Sequence, residues 1–362
     1  MQESRQLPAG PAKADVGSSA ARWALTIALL LGVTALVTVI AMAVGPSNVG
    51  IDKVVAILLA RVPIVGDHID HTWTAGEENI VLMVRLPRVL LALLVGASLG
   101  LAGVTTQGIF KNPMADPYIL GVSSGAACGA AIVIVAGLTA ALPVVGVTAG
   151  AFSGALVASF LVYNIARAAG RAPVETLLLA GIAVSAFFSA MTSFLMYLSG
   201  RNLNQIVFWV MGALWSARWD DVFILFPFLA VGALVIYAYA RDLNILLLGE
   251  ESALSLGTDA ARVKAVALIA SSLLAAAAVS VSGIIGFVGL IIPHIMRLIV
   301  GPDHRVLIPA SLLVGAMFLT LADTFSRTIV QPTEMPVGIV TAAIGAPFFI
   351  YLLISRKRAV GR

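Results

Sequence analysis

Charge is what this sequence lacks most. Only 11% of its 362 residues are Asp, Glu, Lys or Arg, while 60% are apolar and the mean hydropathy is +1.03. A soluble domain carries about 25% charged and 45–50% apolar residues, so this chain has too little polar side chain to cover a water-exposed surface. A soluble globular protein is excluded and a membrane protein is implied. Cysteine is almost absent as well. The single Cys128 lies inside an apolar run, which rules out an intrachain disulfide framework and a thiolate zinc site. It reads as a small buried hydrophobe.

Chemistry-bearing motifs are missing too. No G-x-x-x-x-G-K-[ST] phosphate loop, nucleophile elbow or H-E-x-x-H helix occurs, and no paired carboxylate falls within an apolar run. The chain does not read as an enzyme, and any ATP-driven work must come from a separate subunit. Ionisable residues inside apolar runs mark ion or proton coupling. Here Arg297 and Asp323 sit near run ends and little else qualifies. That disfavours the main alternative, an ion-coupled secondary transporter of a small solute.

What the sequence has is long apolar runs. About 20 apolar residues cross the hydrocarbon layer as a helix. Ten candidates follow, at 23–45, 88–110, 118–140, 145–166, 173–199, 222–240, 263–282, 284–300, 307–323 and 337–354. A membrane β-barrel needs alternating segments of about ten residues, which these unbroken runs exclude. The first run is an anchor and not a signal peptide: signal h-regions run about 7–15 residues, and Trp23–Val44 is 22 long. The expected architecture is all-α and polytopic. A disordered cytoplasmic tail occupies 1–22, and one transmembrane domain fills 23–358, with an external loop at 46–84 and a cytoplasmic segment at 241–262. A receptor-like protein is disfavoured by ten spans with little external domain.

Ten spans put both termini on one side. With that side cytoplasmic, its segments hold fifteen Lys/Arg against seven outside, and acidic residues split nine and nine. The positive-inside rule fixes that orientation. The net charge of +4 is topology, not nucleic-acid binding.

Two cytoplasmic segments stand out. "KNPMADPYILG" at 111–121 places Asn112 before one proline and Asp116 before another, a capping residue followed by a helix-starting one. By itself it reads as a turn. "RDLNILLLGEESALSLGTDAAR" at 241–262 is too long for a plain connection and too charged to span. Its centre, Gly249–Gly257, reads as a short amphipathic helix, with Ala253, Leu254 and Leu256 able to pack and Glu250 and Glu251 solvated. An interfacial helix lying on lipid is the competing reading.

Several blocks carry a resemblance. "RLPRVLLALLVGASLGLAGVTTQG" at 85–108, "NPMADPYILGVSSGA" at 112–126, "LLLGEESALSLG" at 246–257, "GFVGLIIPHIMR" at 286–297 and "EMPVGIVTAAIGAPFFIYLL" at 334–353 stand in order and in register. They resemble the permease subunits of type II ATP-binding-cassette importers, the FecCD-like group that takes up iron-siderophores, haem and cobalamin. The resemblance covers about 80–358. It implies ten helices per subunit and a second permease subunit, expected to be an identical copy. It also implies two cytoplasmic ATPase subunits holding ATP and Mg, an external solute-binding protein, and an inner-membrane location. Iron-siderophore is favoured on frequency in the family, with haem and cobalamin open. No cofactor is expected on this chain.

The same resemblance assigns roles. Gly249, Glu250, Glu251, Ser252, Ala253, Leu254, Leu256 and Gly257 match the ATPase-coupling element. Arg85, Arg88 and Arg327 match arginines that receive acidic residues of the binding protein, with headgroup snorkelling as the bland alternative. Asn112 and Asp116 are gate candidates on a separate ground, the reading of 111–121 as a positioned cytoplasmic element. Phe187, Phe188 and Met191, on a helix that the family places beside the pore, are pathway candidates. "DHIDH" at 67–71 places His68 and His71 three apart, but reads as a solvated loop, and His294 as a residue at a proline kink. No metal site is expected.

Overall fold

In hydrocarbon a backbone can satisfy its N–H and C=O groups only within helices or closed barrels, and the apolar runs form helices. The structure, a computed structural model, describes residues 16–45, 47, 49–138, 146–168, 174–330 and 333–360, and among these there is no strand. The α-helices of the first half are α1 (Val16–Ala43), α2 (Ile51–Leu59), α3 (Ala75–Asn79), α4 (Leu86–Ile109), α5 (Val122–Val135), α6 (Gly146–Ala168) and α7 (Val174–Leu198). Those of the second are α8 (Leu203–Val210), α9 (Trp219–Ala238), α10 (Ala240–Leu247), α11 (Glu250–Ser255), α12 (Ala260–Ser282), α13 (Val288–Val300), α14 (His304–Ser326) and α15 (Val337–Val360). Among the described residues seven helical runs are long and apolar enough to cross a membrane, and Val122–Val135, Val288–Val300 and Val337–Leu352 are shorter apolar helices. Together they match the ten expected runs in order.

Four boundaries differ from expectation. The second run starts at Ala75 and not at 88, because Thr74 and Glu77 form a capping box: Glu77 N–H donates to Thr74 Oγ1 and Thr74 N–H to Glu77 Oε2. Pro87 has no N–H to continue the ladder, and a π turn over Ile80–Arg85 precedes it. The third run is broken at Gly121, where φ of +75° separates a 3-10 turn at Pro117–Leu120 from α5. α8 occupies a stretch that none of the ten runs includes. Finally, residues 1–15 of the expected tail lie outside the described residues, and α1 already begins at Val16.

α4 lies at the centre, against α14, α12, α13 and α9. Small residues let the backbones close in. A Cβ added to Gly96 would sit 2.2 Å from the Gly315 carbonyl oxygen, so the α4–α14 crossing needs glycine on both helices. This is packing by backbone approach, the mode available where lipid removes the hydrophobic drive between helices. The arrangement holds α4's two ends in place, with Arg88 at one and Gln107 at the other.

Candidate functional site

At one end, three arginines gather where α1, α4 and α14 meet. Arg85 Nη1 donates to the carbonyls of Met42 at 2.8 Å and Ala43 at 3.0 Å, and Nη2 donates to the Ser47 carbonyl. It thereby satisfies carbonyls that the end of α1 leaves open. Arg88 donates to Asp323 from Nε (3.0 Å to Oδ2) and Nη2 (2.9 Å to Oδ1), and to Glu334 Oε2 from Nη1 at 2.8 Å. Arg327 Nη2 donates to the Ala41 carbonyl at 2.7 Å, and its Nε lies 3.7 Å from Asp323 Oδ2. All three are less than a tenth exposed. The arginines expected to face a binding protein are therefore occupied inside the chain. Sequence alone pointed to none of these partners, because Asp323 and Glu334 lie over 230 residues from Arg88.

The same end holds a cavity of about 440 Å³ between α5, α6, α8, α9 and α12, with Gln205, Phe208, Trp209, Trp215, Arg218 and Asp221 among its walls. The Phe208 and Trp215 rings meet edge-on, centroids 5.6 Å apart. The "DHIDH" histidines make local contacts. His68 Nδ1 lies 3.0 Å from the Ile64 carbonyl and His71 packs on Trp73. Among the described residues no three His, Cys, Asp or Glu side chains are grouped to hold a metal.

The opposite end carries 111–121 and 241–262. Asp116 caps the 3-10 turn, accepting the Tyr118 N–H at 2.7 Å, and Asn112 accepts the Met114 N–H at 3.0 Å. The Tyr118 hydroxyl reaches the Ile285 carbonyl at 2.9 Å, so the segment is pinned to the bend before α13 and is no slack loop. Burial pushes the Asp116 carboxyl up to about 6, offset in part by the Tyr118 N–H. Gln107 at the end of α4 donates to the Leu290 carbonyl at 2.9 Å and accepts from Arg297 Nη1 at 3.0 Å, tying α4 to α13.

The 249–257 segment stands out from this end. Gly249 and Gly257, at φ of +115° and +80°, bound α11. Ala253 is fully buried, while Leu254 and Leu256 are 63% and 60% exposed. The Thr258 N–H donates to the Ala253 carbonyl at 2.9 Å and its hydroxyl to Asp242 at 3.3 Å. Glu250 is exposed and pairs with Lys264 of α12. α10 in turn is tied to α14: Asn244 Oδ1 accepts from the His304 backbone N–H at 2.9 Å and from its Nδ1 at 2.8 Å, and Asn244 Nδ2 donates to Asp303 at 2.8 Å. Two apolar side chains are thus presented on a short helix whose root is fixed to the bundle. No sequence period signals the Asn244–His304 contact.

On α7, Phe187 is exposed and Phe188 lies edge-on to it at 5.5 Å, with Met191 half-buried. Thr192 is buried, its hydroxyl donating to the Phe188 carbonyl at 2.8 Å. Phe187, Ala190, Phe194 and Tyr197 are all exposed and recur three and four residues apart, so α7 presents one open aromatic face.

Against known proteins, the pattern of the FecCD transport family matches residues 33–355. The chain belongs to the FecCD transport family. The match takes in the later part of the first helix and the 46–84 stretch, which the motif resemblance leaves outside. The permease is 53% identical over 281 residues to the cobalamin import system permease protein BtuC of Halobacterium salinarum, covering 77% of this chain and 74% of that one. It is 39% identical over 332 residues to the hemin transport system permease protein HmuU of Yersinia pestis, covering 91% and 96%. Among solved structures it is similar to an inward-facing conformation described as of a metal-chelate type ABC transporter. There the TM-score is 0.73 and identity 33%, covering 90% of this chain and 99% of that one. This is a multi-pass membrane permease of the ABC-importer class.

Proposed function

We propose that the permease passes a metal chelate inward across the inner membrane, driven by two separate ATPase subunits that bind ATP and Mg. The observation that carries this reading is the 249–257 segment. Exposed Leu254 and Leu256 on a helix rooted by buried Ala253 are what a soluble motor needs to grip, and a lipid-lying helix would not require the root through Thr258 and Asp242. The end bearing that segment is cytoplasmic, as are both termini. A second copy of the chain meets the aromatic face of α7, and the chelate passes between the copies along Phe187, Phe188 and Met191. An external solute-binding protein docks at the arginine end. There one of its carboxylates exchanges with Glu334, whose side chain is 26% exposed, for the field of Arg88, with Arg85 and Arg327 behind it.

The chelate to test first is cobalamin, because the relative that is 53% identical is named a cobalamin permease; haem and iron-siderophores follow. The experiment is reconstitution of the permease with its ATPase in vesicles, supplying each loaded binding protein in turn. Uptake of one chelate that requires ATP is expected. Uptake driven by an ion gradient without ATP would return the chain to the secondary-carrier class.

A further inference from the structure

α9 and α12 leave a groove between them on the flank of the bundle, about 450 Å³ in volume. Pro227, Phe228, Val231, Val235, Ile269 and Leu273 are among its walls, and no lining residue has a polar side chain. On α12 the lining positions Val266, Ile269 and Leu273 are spaced three and four apart and so share one face. Arg262 continues that face one turn earlier, roughly 6 Å along the axis at 1.5 Å per residue. Its side chain leans toward the helix start, as helical side chains do, which carries it away from the groove to the headgroup level.

The charge there is unspent. Arg262 is exposed, its backbone N–H donates to the Asp259 carboxylate at 3.0 Å, and among the described residues its guanidinium has no ion pair, whereas Lys264, on another face of α12, is paired with Glu250. Along α12 the groove runs from Val266 to Leu274, about 12 Å of helix, close to the roughly 15 Å that one leaflet contributes to a 30 Å hydrocarbon core. An apolar slot of one-leaflet depth that ends at an unpaired arginine has the chemistry of a phospholipid with a negative headgroup.

We propose that the α9–α12 groove and Arg262 form a binding site for an anionic phospholipid, one acyl chain lying in the groove and the phosphate meeting Arg262. The proposal depends on the orientation given above only for the leaflet concerned, which is the inner one.

The test is native mass spectrometry of the full chain, extracted from vesicles of phosphatidylcholine mixed with phosphatidylglycerol. Wild-type protein should retain phosphatidylglycerol in preference to phosphatidylcholine. Arg262→Glu should cut that retention roughly fivefold or more, the worth of one basic residue at an anionic surface, and Arg262→Lys should keep most of it. Ile269→Trp, which fills the groove without touching charge, should also lose retained lipid, while Leu298→Trp on the exposed side of α13 should not. Ile269→Trp serves alone if the charge reversal fails to insert. Unchanged retention in Ile269→Trp would overturn the site. So would ready disulfide formation between two copies carrying Ile269→Cys, which would assign the groove to a subunit interface.

Discussion

Arg88 and Asp323 lie 235 residues apart and meet in a two-pronged ion pair, Nε to Oδ2 at 3.0 Å and Nη2 to Oδ1 at 2.9 Å. The pair joins the start of α4 to the end of α14, the two helices whose glycines touch lower in the bundle. Removing one partner of a buried pair strands the other charge and costs about 3–5 kcal/mol, whereas apolar replacement of both is often neutral. Asp323→Leu should therefore lower the thermal midpoint and yield of the detergent-purified protein, and Arg88→Met added to it should restore only part of both, because buried Arg327 has also lost its carboxylate and Glu334 its arginine. A single variant as stable as wild type would mean that water reaches the pair.

That pairing changes how docking has to be tested. Reversing Arg85 or Arg88 would disturb folding, so a loss of binding would be ambiguous. Glu334→Gln is the cleaner probe, because it frees Arg88 of its more exposed partner and leaves Asp323 in place. If an arriving carboxylate takes that place, the variant should capture its loaded binding protein more tightly. The gain should be about 0.2–1 kcal/mol, as for ion pairs at a surface, and should fade with salt. Weaker or equal capture at low salt would place docking elsewhere on this end.

The coupling segment offers a sharper result. Leu254→Asp puts a charge on the exposed face of α11 without touching buried Ala253 or the Thr258–Asp242 contact. The permease should insert and purify normally but fail to bring down its ATPase, and stimulated ATP hydrolysis should disappear. Normal copurification would leave α11 as an interfacial helix.

The parts of this protein legible in sequence were those encoded by continuous runs. Ten apolar stretches became ten helices because each is its own signal, and the 249–257 segment was visible because its glycines and glutamates interrupt one. The Thr74–Glu77 spacing carries a helix-start signal, but it stands ahead of the apolar run, which taken alone begins at the arginine motif and not at Ala75. The contacts that assemble the ends were beyond reach. Arg88–Asp323, Gln107–Arg297 and Asn244–His304 link residues with no common period, and an arginine near a helix end reads the same whether it faces water or a buried carboxylate. Exposure on α7 was equally hidden, since a bundle helix with apolar residues on every side does not announce its open face.

Asp116 gives a pH signature. Its folded pKa of about 6 stands above the usual 3.8, so the folded protein holds the extra proton between those values. By linkage this contribution to stability is present below about pH 4, falls as pH rises to about 6 and is flat above. Asp303 works in the opposite sense and lower down, its carboxyl held to about 2 chiefly by Arg305. Asp116→Asn keeps an acceptor for the Tyr118 N–H and loses the titration. Thermal midpoints of wild type and variant should converge in acid and part in the variant's favour toward pH 7, by less than the full shift implies because the residue is only half-buried. Parallel curves would show that Asp116 is as solvated as an ordinary surface carboxylate.

The final prediction concerns which way the bundle stands, and it uses the 111–121 connection as a reporter. Ala115 is almost fully buried, so a cysteine there would be silent from either side. Lys111 is exposed at the same turn and is the position to use, in a Cys128→Ala background that removes the one native thiol. At the opposite end Asn204, exposed on α8, supplies the complementary reporter. With the basic face inside, an impermeant thiol reagent should label Lys111→Cys only in inside-out vesicles and Asn204→Cys only in intact cells. The same preparation tests whether the connection acts in the gate. Asn112→Ala with Asp116→Ala removes the Asp116 cap bond, worth about 0.5–2 kcal/mol, together with the Asn112–Met114 turn bond. That is small for a whole bundle but comparable to a bias between gate states, so expression should hold while the ATP hydrolysed per chelate imported rises. Reversed labelling would invert the orientation and move the coupling segment to the wrong side for an ATPase. Unchanged coupling with correct labelling would make 111–121 a turn that is pinned but passive.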